Sequence, residues 1–148
     1  QARSMHPYPH QDPVPALAEP TGGVPRSAAW LPAIAAAPPA EFDGPGDRWS
    51  PETLLCAAVA DCVVLSFRAV ARASKLDWTS LEVRVEGKLD RVEGRSYFTG
   101  FVLHATLRVP AGADQERAKK LMEKAEQLCL ISNSLVAQRH LELTVIAG

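Results

Sequence analysis

The uneven distribution of proline is the strongest constraint on how this chain folds. Eleven of the twelve prolines fall between Pro7 and Pro51, and the remaining one is Pro110. Proline lacks a backbone donor and fixes φ, so the region up to Pro51 cannot form a regular helix or a central strand. Regular helices are therefore expected only from Pro51 onward.

The domain organisation follows from that division. We predict a proline-rich arm over residues 1–35, with short edge strands near residues 28–36, and a folded domain over residues 36–148. Residues 1–4 precede Met5 and are interpreted as a vector-derived remnant without structural weight.

Composition narrows the function classes. The chain has 148 residues, enough for one domain with a core, and a net charge of −1 without a Lys/Arg stripe, which argues against a nucleic-acid surface. No apolar run is expected to reach the roughly 20 residues that span a bilayer, and no secretory pattern precedes the arm. Three cysteines without a CxxC pair suit a reducing cytoplasm and do not fit a zinc cluster, so no metal or cofactor is expected.

A long helix is predicted to begin at Ser50. This serine suits the N-cap, Pro51 suits the first helical position, and Glu52 favours the positive end of the helix dipole. Residues 52–75 contain no glycine or proline. The spacing predicts a mostly buried helix, with one face made of Leu55, Ala58, Val59, Cys62, Leu65 and Ser66.

The remaining elements indicate an α+β domain. Residues 81–89 and 97–109 alternate apolar and polar side chains, which predicts an antiparallel hairpin. An amphipathic helix is predicted from about Asp114, followed by a short helix in "CLISNSL" and a last strand over residues 141–146.

The cysteines have two interpretations. Buried free cysteine usually behaves as a small apolar side chain, and this applies to Cys62, Cys129 and Cys56. Glu52 has a simple role at the helix dipole, and Asp61 needs either solvent or a cation, because an unpaired buried charge is costly. The alternative is redox chemistry.

Two segments carry a family resemblance. The stretch "EFDGPGDRWSPETLLCAAVADC" and the later "AEQLCLISNSL" resemble the OsmC/Ohr family, named for osmotically inducible protein C and organic hydroperoxide resistance proteins. The resemblance covers residues 36–146, with one departure at Leu130, where many members carry proline. It implies an intertwined homodimer in which two antiparallel sheets flank central helices.

The resemblance also implies a thiol peroxidase that acts on organic hydroperoxides. Cys62 resembles the peroxidatic cysteine, Cys129 the resolving one, and Glu52 the acidic residue that positions an arginine beside the reactive thiolate. The family's arginine lies in a Gly-rich turn that has no clear match here, so Arg26 and Arg48 are the candidates. A lipoyl-type dithiol is the implied reductant.

An apolar substrate pocket is expected from Trp49, Leu55 and Phe67, joined by the partner's Trp30 and the partner's Phe42. Core packing is the competing interpretation, above all for Phe67. Two other functions stay open: a dimer of this fold that lacks efficient peroxidase activity and binds a small apolar ligand in its interface, and a stress-associated dimer with structural thiols only.

Overall fold

The computed structural model describes Pro20, the backbone of residues 24–26 and residues 31–148. Trp30, with its predicted role on a partner subunit, lies outside the described residues. The chain divides into two compact units, residues 1–53 and 54–148.

The first unit contains a small antiparallel sheet. Strands β1 (Val24–Arg26) and β2 (Ile34–Ala36) pair with each other, and a single 3₁₀ turn spans Ala40–Phe42. Trp49 forms an isolated bridge with Ala36, and its carbonyl accepts a hydrogen bond from the Ala37 N–H at 2.9 Å. Both strands have three residues, in keeping with the density of proline.

Helix α1 spans Pro51–Ala73 and begins where the sequence predicts. The Thr53 N–H donates to Ser50 Oγ at 3.1 Å, and the Ser50 N–H donates to Thr53 Oγ1 at 2.8 Å. These reciprocal bonds satisfy backbone donors that a helix start leaves open. The helix ends before Lys75, which takes the left-handed conformation at φ 54°.

The second unit is built on a three-stranded sheet in the order β3, β4, β5. Strands β3 (Ser80–Val92) and β4 (Arg95–Val109) form the predicted antiparallel hairpin around a two-residue turn. Both turn residues have positive φ, 51° at Glu93 and 77° at Gly94, as a tight hairpin requires.

Strand β5 (Gln138–Ala147) pairs with β4 in parallel. The larger sheet is therefore mixed, and the expectation of a purely antiparallel sheet is corrected here. The physical reason is the crossover: a parallel partner needs a long connection, and α2 (Gln115–Gln127) with the short α3 (Leu130–Asn133) supplies it. Asp114 caps α2 as predicted, since its carboxylate accepts from the Arg117 N–H at 3.0 Å.

The core of the second unit is formed by the sheet, one face of α1 and the buried residues of α2. The buried face of α1 differs from the predicted one, because Leu65 is 57% exposed while other α1 residues pack inward. The buried residues of α1 are Val59, Val63, Phe67, Val70 and Ala71. Much of the helix is apolar, so periodicity alone did not identify the face that meets the sheet.

Helix α1 also corrects the expectation about apolar runs. By length and composition alone it could cross a membrane. Core helices of globular proteins meet the same criterion, and the buried α1 residues contribute to the core of the second unit.

Candidate active site

The structure brings together the two cysteines singled out by the sequence. Cys62 lies on α1 and packs against the core partly buried, while Cys129 is 0% exposed at the residue that precedes α3. A side-chain interaction with Cys62 contributes to the raised pKa of Cys129, which indicates that the two side chains are neighbours, and both cysteines are free. One partly exposed cysteine therefore lies near one enclosed cysteine.

The surroundings of Cys129 favour its neutral form. Burial raises the pKa of Cys129 above its ordinary value of 9.0, and contact with Cys62 raises it further. Hydrogen bonds from Ser132 lower the pKa without reversing the net rise. A Cys62 thiolate would therefore face a protonated Cys129 that can donate a hydrogen bond to it.

Ser132 is a polar partner of Cys129 that sequence reasoning missed. Its Oγ donates to Cys129 Sγ at 3.2 Å, and the side chain is 2% exposed. The signal in the sequence was the spacing of the two residues. Cys129 is the N-cap of the short helix α3, and a side chain three residues after an N-cap can reach back to it.

An ion pair braces the segment that carries Cys129. Arg139 on β5 contacts the Glu126 carboxylate at 2.9 Å, and the two side chains are 23% and 13% exposed. Arg139 also donates to Asn133 Oδ1 at 2.8 Å, and Asn133 Nδ2 donates to the Gln127 carbonyl at 3.2 Å. The turn from α2 into α3 is thereby tied to the sheet. Sequence reasoning did not identify this brace, because its members lie on three different elements.

Glu52 belongs to the first unit, at the start of α1. Its Oε2 is buried and has no hydrogen-bond partner among the described residues. An apolar recess of about 350 Å³ lies beside it, lined also by Phe42 and the prolines at 38, 39 and 51. A buried carboxylate oxygen without a partner favours the approach of a cation or a donor.

The other predicted residues of the first unit are placed as follows. Arg48 is exposed, and Trp49 is 50% exposed beside the start of α1. The backbone of Arg26 lies in β1, and its side chain is outside the described residues. The choice between the two arginines stays a prediction.

Two predicted pocket residues lie in the second unit. Leu55 packs partly buried against its core. Phe67 is 0% exposed and meets the Trp78 ring edge-on, with the centroids 5.3 Å apart. Core packing, the competing interpretation, therefore describes Phe67 best. Phe67 is not proposed as a residue of the substrate pocket. Asp61 is exposed and reaches solvent.

Cys56 packs at the contact between α1 and β3. Burial raises its pKa above the ordinary value of 9.0, and a hydrogen bond with the Gly87 backbone lowers it less strongly. Cys56 has the features of a packing residue, as the sequence suggested.

Comparisons with known proteins found a matching family model and similar chains. The family model described as OsmC-like protein matches residues 44–145. An organic hydroperoxide resistance protein of Xanthomonas axonopodis pv. citri is 32% identical over 108 residues, which cover 72% of this chain and 74% of that protein. YmaD, an uncharacterised protein of Bacillus subtilis, is 29% identical over 71% of this chain and 72% of its own length.

A solved structure is similar over nearly the whole chain. It is the Legionella pneumophila protein described as an organic hydroperoxide resistance protein OsmC, a predicted redox protein and a regulator of sulfide bond formation. Its TM-score is 0.73 at 26% identity, and the match covers 93% of this chain and 97% of that one.

Proposed function

Because the chain belongs to the OsmC-like family, we propose that it is a thiol-dependent peroxidase that reduces organic hydroperoxides through Cys62 and Cys129. The observation that carries this proposal is the proximity of two free cysteines at one core cluster, Cys62 partly exposed and Cys129 fully buried. An oxidant that enters the site meets Cys62 first, and the resolving thiol is already beside it.

The first step is attack of the Cys62 thiolate on the distal oxygen of the hydroperoxide. The O–O bond breaks, the alkoxide takes up a proton and leaves as an alcohol, and Cys62 becomes a sulfenic acid. A protonated Cys129 suits this step, because it donates a hydrogen bond to the Cys62 thiolate and does not compete as a nucleophile.

The second step joins the two cysteines. Cys129 attacks the Cys62 sulfenic acid, a disulfide forms, and water leaves. An external dithiol then reopens the disulfide by exchange, and a lipoyl-type dithiol is the reductant we propose. Contact between the thiols shortens the lifetime of the sulfenic acid, which protects Cys62 from irreversible oxidation.

Glu52 is proposed to hold a cation near the reactive thiolate. The support is its buried Oε2, which lacks a partner among the described residues. Arg26 and Arg48 stay the candidates for that cation. Glu52→Gln should reduce the rate of peroxide consumption severalfold, whereas the exposed Glu41→Gln should not.

A homodimer is proposed as the working assembly, in a cytoplasmic setting. The exposed apolar side of α1, which includes Leu65, supports it, since large apolar patches usually mark an interface. The arm over residues 1–35 is proposed to cross onto the second subunit, and the domain to span residues 36–148. A truncation before residue 28 that leaves the dimer intact would count against the crossing arm.

A second candidate is a dimer of this fold that binds a small apolar ligand and lacks efficient peroxidase activity. The apolar recess of about 350 Å³ in the first unit favours it. Turnover separates the two candidates, because ligand binding alone consumes no peroxide.

The test is steady-state consumption of cumene hydroperoxide with dihydrolipoamide as reductant. We expect turnover by the parent and by Cys56→Ser, loss of at least 100-fold for Cys62→Ser, and no sustained turnover for Cys129→Ser. Hydrogen peroxide should be a poorer substrate, because an apolar pocket favours alkyl groups. Equal activity of all four proteins would refute the proposal.

A further inference from the structure

The two sulfurs of the proposed disulfide differ in access. Cys129 is 0% exposed, whereas Cys62 is partly exposed and packs against the core cluster that contains Cys129. A thiolate that attacks a disulfide must approach one sulfur from outside, in line with the bond that breaks. Only Cys62 offers such an approach, so Cys129 becomes the sulfur that leaves.

A leaving sulfur departs as a thiolate, and a buried thiolate is costly without a donor. Ser132 Oγ supplies a donor, because it lies 3.2 Å from Cys129 Sγ and is itself 2% exposed. Hydrogen bonds to charged groups are stronger than those to neutral groups. The contact therefore stabilises the departing Cys129 thiolate more than the disulfide or the thiol.

We propose that Ser132 is a positioning residue that makes Cys129 the leaving sulfur when an external dithiol reopens the disulfide at Cys62. This inference rests on the proposed peroxidase cycle. For the step that reduces the disulfide, it names the sulfur that is attacked and the residue that stabilises the sulfur that leaves.

Two successive thiol–disulfide exchanges reduce the protein. One thiolate of the dithiol forms a bond to Cys62 Sγ, the Cys62–Cys129 bond breaks, and its electron pair passes to Cys129 Sγ. Ser132 Oγ–H stabilises that thiolate until it takes up a proton. The second thiol of the reductant loses its proton and attacks the reductant sulfur that is bonded to Cys62. The reductant closes into a cyclic disulfide, and Cys62 is released as a thiolate.

A purely structural role for Ser132 predicts something different. A buried hydroxyl that only satisfies its own hydrogen bond would change the free energy of unfolding when removed. It would not change the rate of exchange in the folded protein. This rate separates the two interpretations.

The first experiment measures the rate at which dihydrolipoamide reduces the oxidised protein. All proteins carry Cys56→Ser and are oxidised with diamide, so the test does not depend on peroxide chemistry. We expect Ser132→Ala to be reduced about three- to tenfold more slowly, because leaving-group thiols of higher pKa leave more slowly. Ser132→Thr keeps the hydroxyl and should stay within about twofold of the parent rate.

The matched control is Ser134→Ala. The Ser134 hydroxyl donates to the Leu130 carbonyl at 2.8 Å, is exposed, and belongs to the same short segment. Its removal should leave the reduction rate within about twofold. In a Cys62→Ser background, thiolate absorbance should show a raised Cys129 pKa for Ser132→Ala and an unchanged one for Ser134→Ala.

The second experiment locates the first attack. A brief pulse of 2-mercaptoethanol on the oxidised protein is quenched with acid, and peptide mass spectrometry identifies the cysteine that carries the adduct. An adduct on Cys62 supports the proposal, and an adduct on Cys129 overturns it. Equal reduction rates for Ser132→Ala and the parent also overturn it.

The outcomes also separate this inference from the peroxidase proposal. If diamide forms the disulfide but hydroperoxide does not react, the peroxidase proposal fails while the direction of exchange is still measured. If diamide cannot join Cys62 to Cys129, both fail.

Discussion

Gly87 on β3 lies in a tight space between the sheet and α1. A Cβ added at Gly87 would lie 2.7 Å from Phe98 Cε1, 2.9 Å from Cys56 Sγ and 3.0 Å from Phe101 Cε1. Phe98 and Cys56 are partly buried and can shift outward, but Phe101 is only 2% exposed. Gly87→Ala therefore forces an adjustment between the helix and the sheet.

The magnitude follows from two opposing effects. Overpacking typically costs about 1–3 kcal/mol, and replacing glycine with alanine returns roughly 0.4–1 kcal/mol by restricting the unfolded chain. Gly100→Ala is the matched control, since its added Cβ meets only the Gln138 carbonyl oxygen at an ordinary 3.6 Å. The entropic gain is common to both variants, so their difference isolates the packing cost at about 1–3 kcal/mol.

Urea denaturation followed by circular dichroism measures this difference, at one protein concentration because association affects apparent stability. Gly87→Ala should be the less stable variant. Adding Cys56→Ala should recover part of the loss, because it removes one of the three contacts. Equal midpoints for Gly87→Ala and Gly100→Ala would refute the proposed close approach of helix and sheet.

Three further predictions concern stability and assembly. Arg139→Met should lower the free energy of unfolding by about 1–3 kcal/mol, a value between those of exposed and buried ion pairs. Lys88→Met breaks an exposed ion pair and should lower it by less than about 0.5 kcal/mol. Equal losses of unfolding free energy in urea melts would contradict this. The pKa values of Cys56 and Cys129 are raised in the folded protein, so their contribution to folding stability is fully present below pH 9.0 and is lost as pH rises through the folded-state pKa values. Cys56→Ala should therefore flatten the alkaline fall in melting temperature. An unchanged slope would contradict the raised pKa of Cys56. Leu65→Arg should convert the proposed dimer to monomer in sedimentation velocity, and a variant that stays dimeric would argue against the α1 interface.

Local signals in the sequence predicted the order of elements well. The Ser50 cap, the alternation of β3 and β4, and the Asp114 cap are each contained in a few neighbouring residues. Such features depend on backbone chemistry that short segments determine by themselves. They were therefore confirmed.

Features that depend on distant residues were harder to predict. The buried face of α1 was misplaced at Leu65, because an apolar helix gives several faces that periodicity ranks almost equally. The parallel pairing of β5 depends on how the crossover returns to the sheet. The pairing of Cys62 with Cys129 came from the family resemblance, and the role of Ser132 needed the structure.

The proposed function requires Cys62 and Cys129 to form one redox pair. The most direct measurement is a free-thiol count with peptide mapping after one equivalent of cumene hydroperoxide, in the parent, Cys62→Ser and Cys129→Ser. We expect loss of two thiols in the parent as a Cys62–Cys129 disulfide, a trapped sulfenic acid at Cys62 in Cys129→Ser, and no reaction in Cys62→Ser. Equally slow loss of thiols in all three proteins would contradict it and leave the cysteines as packing residues.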